Sequence, residues 1–372
     1  MKETKSGTDI LSSWSTNGNG QSTLRNQSSQ KINHIRKNYS DARLQSYLLE
    51  EVSRTFALTI PALPQELSRV VSNAYLLCRI VDTVEDEPNL SPSEKKRYCN
   101  RFINVVTATE SAESFALDLL PLLSDETKAG EFELILLTDR VINITHQFDT
   151  LQQKALQGCV QNMAEGMAYY QQSVSGKGLQ NLEDLNNYCY YVAGVVGEML
   201  TELFCLYSPD INEHKNKMMN LAVSFGQGLQ MTNILKDIWE DYERSACWLP
   251  RDHFRDDLQS LQDGKSTKEF RDGLETLIGV AHGHLKQAME YVLHIPTGEK
   301  GIRRFCYWAI GMAILTLQKI HKNPGFTSAD EVKISRKSVK ATILLTNMTV
   351  GSNHLLKILF NIMRRKLPVQ KI

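Results

Sequence analysis

The sequence predicts an all-α fold, and three observations predict it. Apolar residues recur at spacings of three and four through most of the chain after residue 43, which gathers them on one face of a helix. Sustained alternation of apolar and polar residues, the mark of half-buried strands, is almost absent. Helix start and stop signals recur, and the runs between them are roughly 20 to 30 residues long, suited to a single large bundle around a central cavity.

The chain of 372 residues is long enough for one large domain or two smaller ones. Its first part is polar, with Ser12, Ser13, Asn17, Asn19, Asn26 and Ser28, a composition that does not repay the entropy of ordering. Residues 1–42 are therefore expected as a disordered tail and 43–372 as one helical domain. No apolar run of seven or more follows the N-terminal lysines, so no secretory signal is expected.

Ser91-Pro92-Ser93-Glu94 combines an N-cap, a proline at the first helical position and a capping-box glutamate, so a helix begins there. Pro88 should close the helix before it. Further breaks fall at Ser208-Pro209-Asp210, Leu249-Pro250, Pro296-Thr297-Gly298 and Asn323-Pro324-Gly325. The most apolar stretch, Tyr190 to Tyr207, carries Glu198 and Glu202, each costly at a bilayer centre, so it is expected inside the protein. Near the end, Leu355, Ile358, Leu359 and Ile362 share one helical face ahead of Arg364-Arg365-Lys366. Packing of that face on the core is expected, and peripheral contact with a membrane stays open beside it.

Lys and Arg total 42, as do Asp and Glu, so no overall field draws the chain to nucleic acid, which is not expected as a partner. Seven scattered cysteines with no Cys-x-x-Cys pair read as buried thiols in a reducing compartment. A cytoplasmic monomer is expected, with any membrane contact at the inner face.

Two acidic clusters carry the chemistry. Asp82, Glu85 and Asp86 stand at i, i+3 and i+4 and should present carboxylates together, with Glu87 and Pro88 closing the helix. Four acids in a last turn face the negative end of the helix dipole, so a positive partner is expected. About 150 residues on, Gln230, Asn233, Asp237 and Asp241 form a polar stripe flanked by Leu229, Ile234, Leu235 and Ile238. Each cluster alone would suit a solvated helix face. Together they suit a hard cation such as magnesium, held by oxygen ligands and shared with phosphate.

Four stretches resemble the squalene and phytoene synthase family of head-to-head prenyl synthases: Ser53-Arg54-Thr55-Phe56, Tyr75 to Asp86, Tyr188 to Gly197, and Gln230 to Asp241. The likeness covers nearly everything after residue 45. It implies an isoprenoid-synthase fold with two aspartate-rich motifs facing one cavity, and the joining of two farnesyl diphosphates with magnesium. It further implies that Asp82, Glu85, Asp86, Asn233, Asp237 and Asp241 hold the metal. Ser53, Arg54, Tyr75, Arg79, Gln230, Asn233 and Lys236 would contact substrate, with Arg79 also assisting diphosphate departure. Tyr191 would relay the proton lost as the cyclopropane closes.

For the second half-reaction, Val332-Lys333-Ile334-Ser335-Arg336-Lys337 is similar to the basic segment that the squalene branch turns to NADPH, with Ser335 as an insertion. Lys333, Arg336 and Lys337 would then bind the cofactor, and Phe305 would stabilise a cation. Squalene is the product implied. Arg244 to Pro250 is closer to the phytoene branch, so phytoene or dehydrosqualene, formed without reduction, remains the alternative. A catalytically inactive assembly protein is a third reading, disfavoured because both acidic motifs are complete.

Overall fold

A computed structural model describes residues 31–173, 178–254 and 267–370. Among the described residues the chain is helical and forms no strand; a single bridge joins Leu179 to Pro250. The chain divides into two compact units, one running to Ala57 and from Arg69 to Gln153, the other comprising Leu58–Ser68 and everything from Lys154 onward.

The first unit is built from short helices around the part of the Gln65–Asp86 helix that follows Ser68. Leu44, Leu48, Phe102, Phe115 and Leu134 are fully buried in it, and this apolar burial is its main source of stability. Asn73, also fully buried, is satisfied from several sides: it donates to Val141 O at 3.2 Å and Thr145 Oγ1 at 2.7 Å, and accepts from Gln45 at 3.2 Å. That meets the requirement that a buried amide be paired. The Pro92–Val106 helix opens on the expected capping box, with Ser91 N donating to Glu94 at 2.9 Å. A helix at 31–38 lies inside the stretch expected to be tail. Ile32 and Ile35 anchor it in the core, and Lys31–Glu133 (2.6 Å) and Arg36–Asp139 (2.7 Å) pin its flank, so helical order begins before residue 43. A second helix, Asp41–Val52 capped by Ser40, also begins within that stretch, and residues 1–30 lie outside the described residues.

The second unit centres on the Lys215–Lys236 helix, which packs against Lys268–His294 and Val195–Tyr207. Gly197 and Gly226 explain how close these helices come. A Cβ on Gly197 would strike Ala222 O, and one on Gly226 would strike Ala193 O, so backbone lies on backbone. Leu182–Tyr207 is long and apolar enough to cross a membrane, yet these contacts make it a core helix of its own unit. Helices end where expected, at Tyr207, His294 and Lys322. Arg303 is fully buried without a carboxylate; it donates to the carbonyls of Val350, Val292 and Ile295 and to Asn353, so helix ends satisfy its charge. All seven cysteines are buried free thiols.

The C-terminal helix, Asn353–Arg364, splits the face expected of it. Leu356, Leu359 and Phe360 are buried, whereas Leu355, Ile358 and Ile362 are exposed.

Candidate active site

In the first unit the Gln65–Asp86 helix, from Arg69 onward, carries Tyr75, Arg79 and the acidic motif. Arg79 donates to the Tyr75 hydroxyl at 2.8 Å and lies 3.7 Å from Asp82 and 3.8 Å from Glu131. Its Nε is buried without a partner. Desolvation pushes the Asp82 carboxyl up to about 6; Arg79 opposes the shift, and the charges of Asp86 and Glu131 add to it. Burial, more than its acidic neighbours, therefore disfavours the charged form of Asp82, even with a guanidinium beside it.

The expected trio of carboxylates divides. Asp82 and Asp86 act on each other, but Glu85 is buried and interacts with Lys95 and Cys99 of the Pro92–Val106 helix. Lys95 also donates to the Glu85 carbonyl and feels the charges of Asp86 and Glu87, so it is the positive partner that the acidic helix end required. Glu87 accepts from Asn89 N at 3.0 Å and Thr127 at 2.7 Å, fastening the turn. Lys95 and Glu131 carry no sequence signal tying them to the acidic motif; helix packing brings Lys95 to Glu85 and Asp86, and Glu131 to Asp82 and Arg79. Tyr75 packs against Phe56, with ring centres 4.8 Å apart and planes tilted by 38°. Ser53 accepts from Phe56 N at 3.1 Å, and Arg54 is exposed at the start of the next short helix.

In the second unit the polar stripe is bent. The long helix stops at Lys236, Asp237 takes φ −100° and ψ 17°, and a short helix, Ile238–Glu243, resumes. The i to i−4 bonds persist across the break, Asp237 N to Asn233 O at 2.8 Å and Asp241 N to Asp237 O at 2.9 Å. Gln230 is partly exposed and Asn233 exposed, whereas Asp241 is buried and takes Arg244 at 2.6 Å. Lys236 sits 3.1 Å from Asp237, whose carboxyl desolvation nonetheless raises above the usual range.

Tyr191 lies in a π-helical turn, Tyr190–Gly194, a widened turn that often marks functional sites. Its ring occupies the space that a side chain on Gly166 would fill, which explains a glycine inside that helix. Trp248, in the segment after the second acidic motif, stacks on Tyr188 at 3.9 Å and 8°. Phe305 is buried edge-on to Phe204, with centroids 6.3 Å apart.

Lys333, Arg336 and Lys337 are exposed. Lys333 pairs with Asp330 at 3.0 Å, and Ser335 is the N-cap of the Arg336–Thr349 helix, accepting from Ser338 N. The inserted serine thus starts a helix whose first turn holds two cations and no acid, an arrangement the dipole disfavours and an anion would offset. This segment is tied to the second acidic motif, since Glu240 accepts from Ala329 N at 2.7 Å and Trp239 donates to Phe326 O at 2.7 Å.

The donor chemistry fits magnesium: Asp82, Asp86, Asp237, Asp241 and Asn233 offer only hard oxygens, and two of the carboxylates are raised by desolvation. Among the described residues, no three His, Cys, Asp or Glu are already drawn together at metal-binding spacing.

The squalene/phytoene synthase family model matches residues 49–338. The squalene synthase of Candida albicans is 30% identical over 314 residues, covering 82% of this chain and 66% of that protein. That of Schizosaccharomyces pombe is 29% identical over 317 residues, covering 82% and 64%. The chain thus spans about two thirds of the length of these relatives. Among solved structures, TcSQS with a ligand superposes with TM-score 0.69 at 23% identity, covering 89% of this chain and 94% of that one. A dehydrosqualene synthase with a ligand gives 0.56 at 17%, covering 84% and 98%. These likenesses give the fold, the helical isoprenoid-synthase fold. With the family model matched across both acidic motifs and the π-turn tyrosine, the chain belongs to the squalene/phytoene synthase family.

Proposed function

We propose that the chain is a squalene synthase, joining two farnesyl diphosphates head to head and reducing the cyclopropyl intermediate to squalene. The observation that carries this reading is the desolvated carboxyl of Asp82, whose charged form burial disfavours and the nearby charges of Asp86 and Glu131 disfavour further, a cost that a bound cation would relieve. Asp82 and Asp86 in one motif, and Asp237, Asp241 and Asn233 in the other, would hold magnesium. When bound, magnesium supplies Lewis-acid neutralisation of the departing pyrophosphate.

Arg79 contributes fixed positive charge to the same departure, oriented by Tyr75 and Glu131. Arg54 and Lys236, at the starts and ends of their helices, bind diphosphate oxygens, as do Ser53 and Gln230. Tyr191, held by the π turn over Gly166, relays the proton released as the cyclopropane closes. Phe305 offers its ring to the second carbocation. Lys333, Arg336 and Lys337 would hold the phosphate of NADPH, which when bound supplies hydride. A proton-loss product is the second reading, favoured by Trp248 on Tyr188 in the segment that resembles the phytoene branch.

Mass spectrometry of products from farnesyl or geranylgeranyl diphosphate, with and without NADPH, separates the two. Squalene formed only with NADPH supports the first reading. Phytoene or dehydrosqualene, formed regardless of NADPH, replaces it with the second.

A further inference from the structure

The Lys300–Lys322 helix of the second unit is buried through most of its length. Between Gly301 and Leu317 it is partly open at Gly301, Arg304, Ala309, Met312 and Leu315. Arg304, Trp308, Met312 and Leu315 follow one another at steps of four, four and three, so they form one stripe along the helix. Other faces are taken: Gly311 lies against Thr342, Tyr307 reaches Met363, and Phe305 meets Phe204.

Two polar atoms on this stripe have nothing to bond. Arg304 Nε and Trp308 Nε1 are buried, and neither has a hydrogen-bond partner among the described residues. Trp308 as a whole is only 8% exposed. Donors buried without an acceptor are rare and costly, and each calls for an explanation. The same helix satisfies its other buried guanidinium: Arg303 donates to three carbonyls and to Asn353. Arg304, the next residue, is left with an Nε–H that no group of the protein accepts.

Residues one turn apart hold their Cβ atoms roughly 5–6 Å from each other, close enough for one phosphate or diphosphate group to accept from both. The arginine fork matches phosphate oxygens, and the indole can only donate, so the pair selects an anionic acceptor. Past Trp308 the stripe turns apolar, with Met312 and Leu315 about 6 and 10.5 Å further along at the helical rise. An anion at one end and hydrocarbon along the rest describe an amphiphile.

We propose that Arg304 and Trp308 form a subsite that holds the diphosphate of a prenyl diphosphate without a metal ion, with Met312 and Leu315 along its hydrocarbon chain. Naming the ligand a prenyl diphosphate rests on the proposed function. Its binding without magnesium or turnover is a separate property, so either can fail while the other holds.

The full chain is titrated with farnesyl diphosphate in EDTA, followed by calorimetry. Saturable binding is expected, and Trp308→Phe or Arg304→Gln should each weaken it at least about tenfold. Arg304→Gln changes a partly open position, so it tests the subsite even if Trp308→Phe loosens packing. Asp82→Asn with Asp237→Asn should bind at least as tightly as wild type, because this subsite does not use the acidic motifs. Farnesol, which lacks the anion, should bind wild type and Arg304→Gln alike. No binding by wild type in EDTA overturns the proposal, as does wild-type affinity in Arg304→Gln. A tenfold loss for farnesol as well would make the effect one of shape and overturn it too.

Discussion

Asp82 and Glu85 stand three residues apart on one helix and answer to different neighbours. Asp82 works against Arg79, Asp86 and Glu131; Glu85 turns inward to Lys95 and Cys99. Spacing alone places both on one face, because i and i+3 are neighbours on a helix. What separates them is a lysine from the Pro92–Val106 helix, invisible to local pattern. Glu85→Gln should therefore cost about 1–3 kcal/mol in urea unfolding, as expected for a buried polar partner lost, while activity stays within about tenfold. An activity loss equal to that of an Asp82 variant would return Glu85 to the metal set. Asp82→Asn should leave the metal-free protein at least as stable as wild type in thermal unfolding, because it removes a carboxylate whose charged form the folded protein disfavours.

At the scale of elements, the second unit depends on how closely its helices meet. A methyl on Gly226 would strike the backbone oxygen of Ala193, which has no rotamer by which to yield. Gly226→Ala should therefore destabilise by about 1–3 kcal/mol despite alanine's better helix propensity, as denaturant unfolding would register. A neutral or stabilising effect would refute the contact. His284 ties three helices together, meeting Ser224 at 3.1 Å and Asn186 at 3.3 Å. Burial lowers its imidazole to about 4. Since the folded value lies below the unfolded one, this contribution is complete above about pH 6.5 and is lost as pH falls toward about 4, amounting to about 3 kcal/mol. His284→Gln should flatten that acid limb of the stability curve; an unchanged limb would assign it to other groups. Helix limits were legible in the sequence because Ser91-Pro92, Ser208-Pro209 and Pro324 act locally. The bend at Asp237 and the π turn at Tyr190 were not, since both depend on which helices press on them.

For the molecule as a whole, helical class and family were readable because periodicity and the four motifs extend along most of the chain. The helix at 31–38 leaves little mark in the sequence because Ile32 and Ile35 are its main apolar anchors within a polar stretch. The division into two compact units leaves no mark in composition. At this scale the proposed cofactor segment is testable: Lys333→Ala with Arg336→Ala should spare the cyclopropyl intermediate and lower squalene yield, by product mass spectrometry. Equal loss of both steps would contradict the assignment.

Carboxylates that hold magnesium for pyrophosphate departure are the centre of the proposed chemistry. The most direct test of that role is pyrophosphate release from farnesyl diphosphate by the full chain, measured across magnesium concentrations for wild type, Asp82→Asn and Asp237→Asn. Magnesium-dependent release by wild type, reduced at least about a hundredfold in both variants with helical content unchanged, is the predicted result. Release that either variant retains in full would contradict it.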